Sequence, residues 1–324
     1  MKPFESFLSK QLASFVDYRR RLGYDPRNIR CLLLLFDRYL AGLSDPSIAW
    51  QPAFYLKLRK ELKMAPSSVN NILYAARCFF EYLKRTEQCL NNPLQDVPSL
   101  PQHAFIPFVF SPEQLDQLLD AICSHIRKDR EYFLKDLSEY LVILLLVRCG
   151  MRINEPLRMR LEHYQPEERT VCIEKTKFNK DRLIPIPKAV AGQIDNYLSA
   201  RASSSGNVEN PYLFIDGKQK GLYDQRIRRV FHKARKRIGI ERVRQVIGNT
   251  IFGKPTPHSL RHSFAVNTLK AAVARGQSAQ NVLPVLAAYL GHVEYRHTMK
   301  YLKVVDAKSG NRLLNFAGSQ REDP

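Results

Sequence analysis

The sequence predicts a mostly α-helical protein with a small β-sheet or hairpin, built as an N-terminal helical domain followed by an α+β domain. Three observations carry this. Apolar residues recur at helical spacing through most of the first 85 positions. Pro93, Pro98, Pro101, Pro107 and Pro112 then crowd a stretch that no helix interior could accommodate. Further on, "TVCIEKTKFNKDRLIPIP" at 170–187 reads as two short strands around a polar turn at Asn179, Lys180 and Asp181. A chain of 324 residues is long enough for two domains, each with its own core.

Taken in order, residues 4–22 place Phe4, Phe7, Leu8, Leu12 and Phe15 on one helix face. Arg19, Arg20 and Arg21 close that helix, where cations suit its dipole. A second helix starts after Asp25-Pro26 and runs to about 42, and a third covers 51–63. The fourth follows "APSS" and carries Val69, Ile72, Leu73, Ala76, Phe79, Phe80 and Leu83 inward. These helices make an all-α domain over 1–92, with 93–110 as an extended linker. The second domain opens at Ser111, which caps a helix with Pro112 at its first position and Glu113 next. A buried helix at 136–148 stops at Gly150, and after 188 the pattern is helical again, interrupted by a polar loop at 202–211. The second domain ends near 308. "NRLLNFAG" at 311–318 is a short apolar helix in a tail over 309–324.

Charge narrows the function. Fifty-one Lys and Arg against thirty-one Asp and Glu leave a formal charge of +20, which attracts a polyanion, nucleic acid first among them. The bland alternative is a highly soluble basic protein. Six cysteines, none in a C-x-x-C pair, suggest neither a zinc ribbon nor a disulfide framework and suit a reducing compartment. The polar opening "MKPFESFLSKQ" is not a signal peptide, and "CLLLLF" and "LVILLLV" fall short of a membrane span. A cytoplasmic, nucleoid-associated protein without a membrane partner is expected.

Four short segments hold the chemistry. In "TPHSLRHSFA", Thr256 caps a helix whose His258 and Arg261 lie one turn apart on one face. His262 stands four residues from His258, the spacing of a metal-binding pair, but Ser259 occupies the place where a metalloprotease needs Glu. In "CGMRINEPLRM", Arg152 follows a buried helix, and Glu155 can hold it; alone, that pair reads as a buried ion pair. "YLGHVEYRHTMKYLKV" ends a helix at Gly291-His292 and places Tyr301 nine residues after the histidine. The hairpin tip carries Lys175, Lys177 and Lys180, which alone would be solvated lysines.

Arranged in this order and spacing, these segments resemble the tyrosine recombinases of the phage-integrase family. "CGMRINEPLRMR" is similar to the family's arginine segment, "KFNKDRLIP" to its lysine hairpin and "PHSLRHSFA" to its H-x-L-R-H helix. The resemblance covers about 150 to 305. Residues 1–92 resemble the family's core-binding domain in architecture alone, and 111–308 its catalytic domain.

The resemblance implies cutting and rejoining of DNA through a 3′-phosphotyrosine. Tyr301 would be the nucleophile; Arg152, Arg261 and His292 would stabilise the phosphate, and His258 would do the same or take the phenol proton. Lys177 would protonate the departing 5′-oxygen, with Lys175 and Lys180 as alternatives because Phe178 replaces a small family residue. Glu155 would orient Arg152, and His262 would support the helix or touch phosphate. No Gly-rich phosphate loop or acidic cluster is evident, so neither metal nor cofactor is expected.

Phosphate contacts are expected from Arg19, Arg20 and Arg21, and from Arg226, Arg228, Arg229, Lys233, Arg235 and Lys236 on "DQRIRRVFHKARKRIG". The expected partners are a double-stranded recombination site and further copies of the chain, as a dimer on one site and a tetramer in synapsis. A related recombinase or a DNA-bending accessory protein would also suit. The tail over 309–324 would be exchanged between subunits or pack on its own domain. The long stretch before "LGH" suggests a mobile-element subgroup. Two other readings compete: a relaxing topoisomerase of the IB kind, and a DNA-binding protein that has lost catalysis.

Overall fold

The structure, a computed structural model, describes residues 2–174, 181–204, 210–216, 221–292, 294 and 298–302. The chain forms two compact units, Met1–His103 and Ala104–Pro324. Elements are numbered in chain order.

The first unit holds α1 (Ser9–Arg21), α2 (Arg27–Ala41), α3 (Pro52–Glu61) and α4 (Pro66–Arg85). Leu12, Phe15, Leu33, Phe36, Phe79 and Phe80 fill its core. Full burial of one such side chain stabilises the unit by about 1.5–3 kcal/mol. The first helix begins at Ser9 rather than Phe4. The buried Asp37 carboxylate explains this, because it accepts the backbone N–H of Glu5 at 2.8 Å and of Ser6 at 3.1 Å. That bonding holds the segment out of the helix while pairing both of those N–H groups.

Residues 93–110 divide between the two units. Leu94 and Val97 are buried in the first core, and Arg77 donates to both of their carbonyls at 3.1 and 2.9 Å. Asn70 pairs with both backbone groups of Leu100. Prolines suit such a path, since side chains from α4 supply the bonds that a regular element would otherwise provide. Ala104–Ile106 then form β1 of the second unit.

The second unit is arranged around α6 (Arg130–Arg148). Leu141 to Val147 are all buried, as expected of a helix apolar on every side. Against it pack α5 (Pro112–Cys123), α8 (Lys188–Ser204), α9 (Asp224–Arg237) and α10 (Pro257–Ala274). Ser111 and Gln114 form the capping box of α5, and Asp129 caps α6 by accepting from the Glu131 N–H, so α6 starts earlier than 136. The short α7 (Asn154–Arg158) follows α6, and α11 (Ala279–Leu290) follows α10.

Among the described residues, two three-stranded sheets complete the unit. In one, β2 (Tyr164–Gln165), β3 (Thr170–Ile173) and β4 (Arg182–Pro185) run antiparallel, with Val171 opposite Ile184. In the other, β6 (Thr250–Phe252) pairs antiparallel with β5 (Gln245–Ile247) and parallel with β1. The second sheet departs from the expectation that the pattern after 188 is helical apart from the polar loop at 202–211. Its strands are too short for an alternation to show, and the Gly248-Asn249 turn is their one local signal.

Candidate active site

The site begins where α6 stops. Gly150 adopts φ +59°, and a Cβ there would stand 2.4 Å from Phe264 Cδ1, so glycine is required both by the backbone and by the packing of α10. The turn exposes the Gly150 carbonyl, and Arg261 Nη1 donates to it at 2.9 Å. Two residues later comes Arg152, whose Nη1 meets Glu155 Oε1 at 2.9 Å, while its N–H meets Oε2 at 2.8 Å.

The second anchor is the C-terminal end of α11, closed by Gly291 at φ +64°. Three consecutive carbonyls there accept from three different arginines. Arg182 Nε donates to Tyr289 O at 2.9 Å, Arg261 Nη2 to Leu290 O, and Arg152 Nη2 to Gly291 O at 3.2 Å. A helix C-terminus leaves its last carbonyls unpaired and carries roughly half a negative charge, so it suits cations. The "LGH" turn is thereby tied to the arginines, and His292 follows at once.

Glu155 holds Arg152 on one oxygen and Arg182 Nη2 on the other at 2.9 Å. Burial alone would raise its carboxyl, but Arg182, the Arg152 N–H and Arg261 outweigh that and leave it below its ordinary 4.5. Three guanidiniums thus face one carboxylate and one helix end, leaving about 1.5 positive charges. Arg261 is 1% exposed. Burial, and then Arg152, depress its pKa to about 10, so it remains charged at neutral pH. A buried cation held only by neutral carbonyls and a shared carboxylate is poised for an anion.

Tyr301 is buried against α10 and α11. Its hydroxyl lies 3.1 Å from His262 Nδ1, and its ring stacks with His292 at 6.2 Å between centroids. Burial raises the phenol's pKa, and Arg261 and Arg152 pull it back. His292 Nδ1 pairs with the buried Thr298 hydroxyl at 2.7 Å. His258 meets His262 edge to face at 4.5 Å. Desolvation, with Arg261 and Arg152, lowers His258 to about 4, although the residue is exposed to solvent. Among the described residues no group of three or more His, Cys, Asp or Glu could hold a metal ion.

The structure therefore gathers Arg152, Glu155, His258, Arg261, His262, His292 and Tyr301 from the end of α6, from α7 and α10, from the turn after α11 and from residues 298–302. Lys177, with Lys175 and Lys180, lies outside the described residues, as does the 309–324 tail. Arg182 was missed by the sequence reading. Its signal was a cation at an inward-facing position of β4, opposite the buried Ile173. Of the expected DNA contacts, Arg226 is held in an ion pair. It closes on Glu139, which is 4% exposed, and leaving would strand a buried carboxylate. Arg228 pairs with Asp224 and Arg20 with Asp17 at the exposed surface, where such pairs are weak. Arg21, Arg229, Lys233 and Lys236 are exposed; Arg19 lies over the Tyr24 ring, and Arg235 is half-buried.

Known proteins place this arrangement. The tyrosine recombinase XerA of Pyrococcus furiosus is 26% identical over 323 residues, covering 96% of this chain and 98% of its own. A tyrosine recombinase of Pseudothermotoga lettingae is 27% identical over 283 residues, covering 87% and 85%. In fold, the chain is similar to the XerH site-specific recombinase bound to palindromic difH, at TM-score 0.65 and 21% identity, covering 97% and 85%. It is also similar to a lambda integrase dimer bound to a COC′ core site, at TM-score 0.64 and 15% identity, covering 91% and 76%. The model of the phage integrase family matches residues 109–308, the stretch that contains every arginine, histidine and tyrosine of the site, and the chain belongs to that family, the tyrosine recombinases.

Proposed function

We propose that the protein cuts and rejoins DNA at a defined site through a 3′-phosphotyrosine on Tyr301. The observation that carries this is the excess of buried positive charge beside the Tyr301 hydroxyl. A phosphodiester brings the matching negative charge, and its transition state gathers more on the non-bridging oxygens. Arg152 and Arg261 offer fixed, forked donors to those oxygens, and His258 and His292 add two more. Glu155 and the end of α11 keep the guanidiniums aimed, so little reorganisation accompanies the reaction. The same cations stabilise the developing phenolate, whose ordinary pKa of about 10 makes it a poor nucleophile at neutral pH. Lys177 is our candidate for protonating the departing 5′-oxygen. The phosphotyrosine keeps the energy of the broken bond, so rejoining needs neither ATP nor metal.

The finer reading is a recombinase of a mobile element, acting in the cytoplasm as a dimer on each double-stranded site and a tetramer in synapsis. Residues 1–92 would grip DNA as the core-binding domain and 111–308 would act as the catalytic domain. The tail over 309–324 would be exchanged between copies. Exposed Arg229, Lys233 and Lys236 on α9, and Arg20 and Arg21 on α1, support backbone contacts.

Covalent trapping tests the reading. The protein is incubated with sheared DNA from its own locus in chelator, denatured in detergent, and the attached fragments are sequenced. The expected result is a metal-independent adduct at one repeated motif, lost in Tyr301→Phe. Tight, salt-sensitive binding without any adduct would favour a silent DNA-binding protein. Relaxation of plasmids without a shared motif would favour a topoisomerase.

A further inference from the structure

We propose that Arg182 is the positioning residue for Arg152, acting on the reaction by bracing both groups that aim that guanidinium; this rests on the recombinase reading above. Arg152 is held by two acceptors. Nη1 donates to Glu155 Oε1 at 2.9 Å, and Nη2 donates to the Gly291 carbonyl at 3.2 Å. Its side chain stays partly exposed, so those two bonds set its direction. Arg182 reaches behind both of them. Its Nη2 donates to the other Glu155 oxygen at 2.9 Å, and its Nε donates to Tyr289 O at 2.9 Å, in the turn that ends at Gly291.

Arg182 also packs on Gly291 itself. A Cβ there would stand 3.0 Å from Arg182 Nη1 and 3.2 Å from its Cδ and Cζ. Glycine is therefore required at that turn by the arginine as well as by the backbone. The contacts close a ring from Arg182 through Glu155, Arg152 and the end of α11 back to Arg182.

The strand that carries Arg182 is anchored in turn. Arg182 opens β4 two positions before the buried Ile184, so the two side chains share the inner face. Tyr289 Oη donates to Pro185 O at 3.3 Å, which ties the other end of β4 to the same helix end. Burial pushes the Glu155 carboxyl up, and Arg182 is the strongest of the groups that bring it below its ordinary value. The carboxylate that aims Arg152 thus depends on Arg182 for its charge as well as its direction. A lysine could not replace it fully, because one ammonium lacks the fork that spans a carboxylate and a carbonyl.

Single-turnover adduct formation on a nicked duplex carrying the trapped motif tests this. Arg182→Met should slow the step by about 10–10²-fold while DNA binding stays within about threefold of wild type. In an Arg152→Lys background the same substitution should cost less than about threefold, since a fork already removed cannot be misaimed. Arg182→Lys should recover part of the loss, and it carries the same comparison if Arg182→Met does not fold. The loss should be unchanged when sulfur replaces the departing 5′-oxygen, because a thiolate leaves without an acid. Losses that multiply in the double variant would mean a general structural role. A loss that vanishes with sulfur would mean that Arg182 acts through a lysine of its hairpin, and no loss would mean that Arg152 needs no brace. Each of these overturns the proposal. Failure of the wild type to form any adduct would instead sink the recombinase reading itself.

Discussion

On α9, Arg229, Lys233 and Lys236 stand in solvent above a buried stripe of Ile227, Phe231 and Ala234. On α10, Arg261 is 1% exposed and ends on two backbone carbonyls. Both helices carry cations in a strongly basic chain, yet the two settings give those charges different uses. An exposed lysine is hydrated, mobile and screened by salt, so it contributes attraction without geometry. Arg261 is desolvated and fixed before any ligand arrives, so its field is strong and already oriented. On the proposed function, the surface would supply affinity and the cradle would supply rate.

The largest effects should come from breaking the cradle. Arg152→Lys or Arg261→Lys keeps the charge and removes the fork. Each should slow adduct formation by about 10²–10³-fold on the trapped motif while DNA binding remains within about threefold of wild type, as checked by single-turnover cleavage and a binding titration. Equal loss of binding and rate would erase the distinction between the two regions.

Glu155→Gln sharpens the same comparison without touching substrate. It leaves Arg152 and Arg182 facing each other with less counter-charge, and should cost about 3 kcal/mol in denaturant unfolding. The pH sign follows. A carboxyl held below its ordinary value contributes stability that is full above that value and fades as pH falls through the folded one. Depressed His258 and His262 act in the same direction, losing stability as pH falls below 6.5. The thermal midpoint should therefore fall on acidification, with a shallower decline below pH 4.5 in Glu155→Gln.

The smallest effects on the folded protein should come from α9. Replacing Arg229, Lys233 and Lys236 with Ala should change stability by about 0.5 kcal/mol or less per site. It should lower the slope of log affinity against log salt by about 0.9 for each phosphate that is no longer neutralised. An unchanged slope would remove α9 from the DNA surface.

Much of this site was legible in the sequence because its residues sit at fixed distances from helix ends. Thr256-Pro257 fixes the start of α10 and so the placement of His258, Arg261 and His262; Gly150 and Gly291 mark the two turns that supply carbonyls. What escaped was the pairing across the fold. Nothing local says that Tyr289, Leu290 and Gly291 each receive a different arginine, or that Arg182 and Arg152 share Glu155. Arg226 looked like its neighbours on α9 because its partner, Glu139, lies 87 residues away. The sheet formed by β1, β5 and β6 escaped for a different reason, since three-residue strands carry too few alternations to register.

The most direct test of the division between cradle and surface is single-turnover cleavage of a nicked duplex bearing the trapped motif, at saturating protein. It would compare Arg261→Lys with the triple α9 variant. The account predicts that the triple variant needs more protein to saturate but then cleaves at the wild-type rate. Arg261→Lys should saturate normally and cleave about 10²–10³-fold more slowly. A triple variant that remains slow when saturated, or an Arg261→Lys whose defect disappears with more protein, would contradict it.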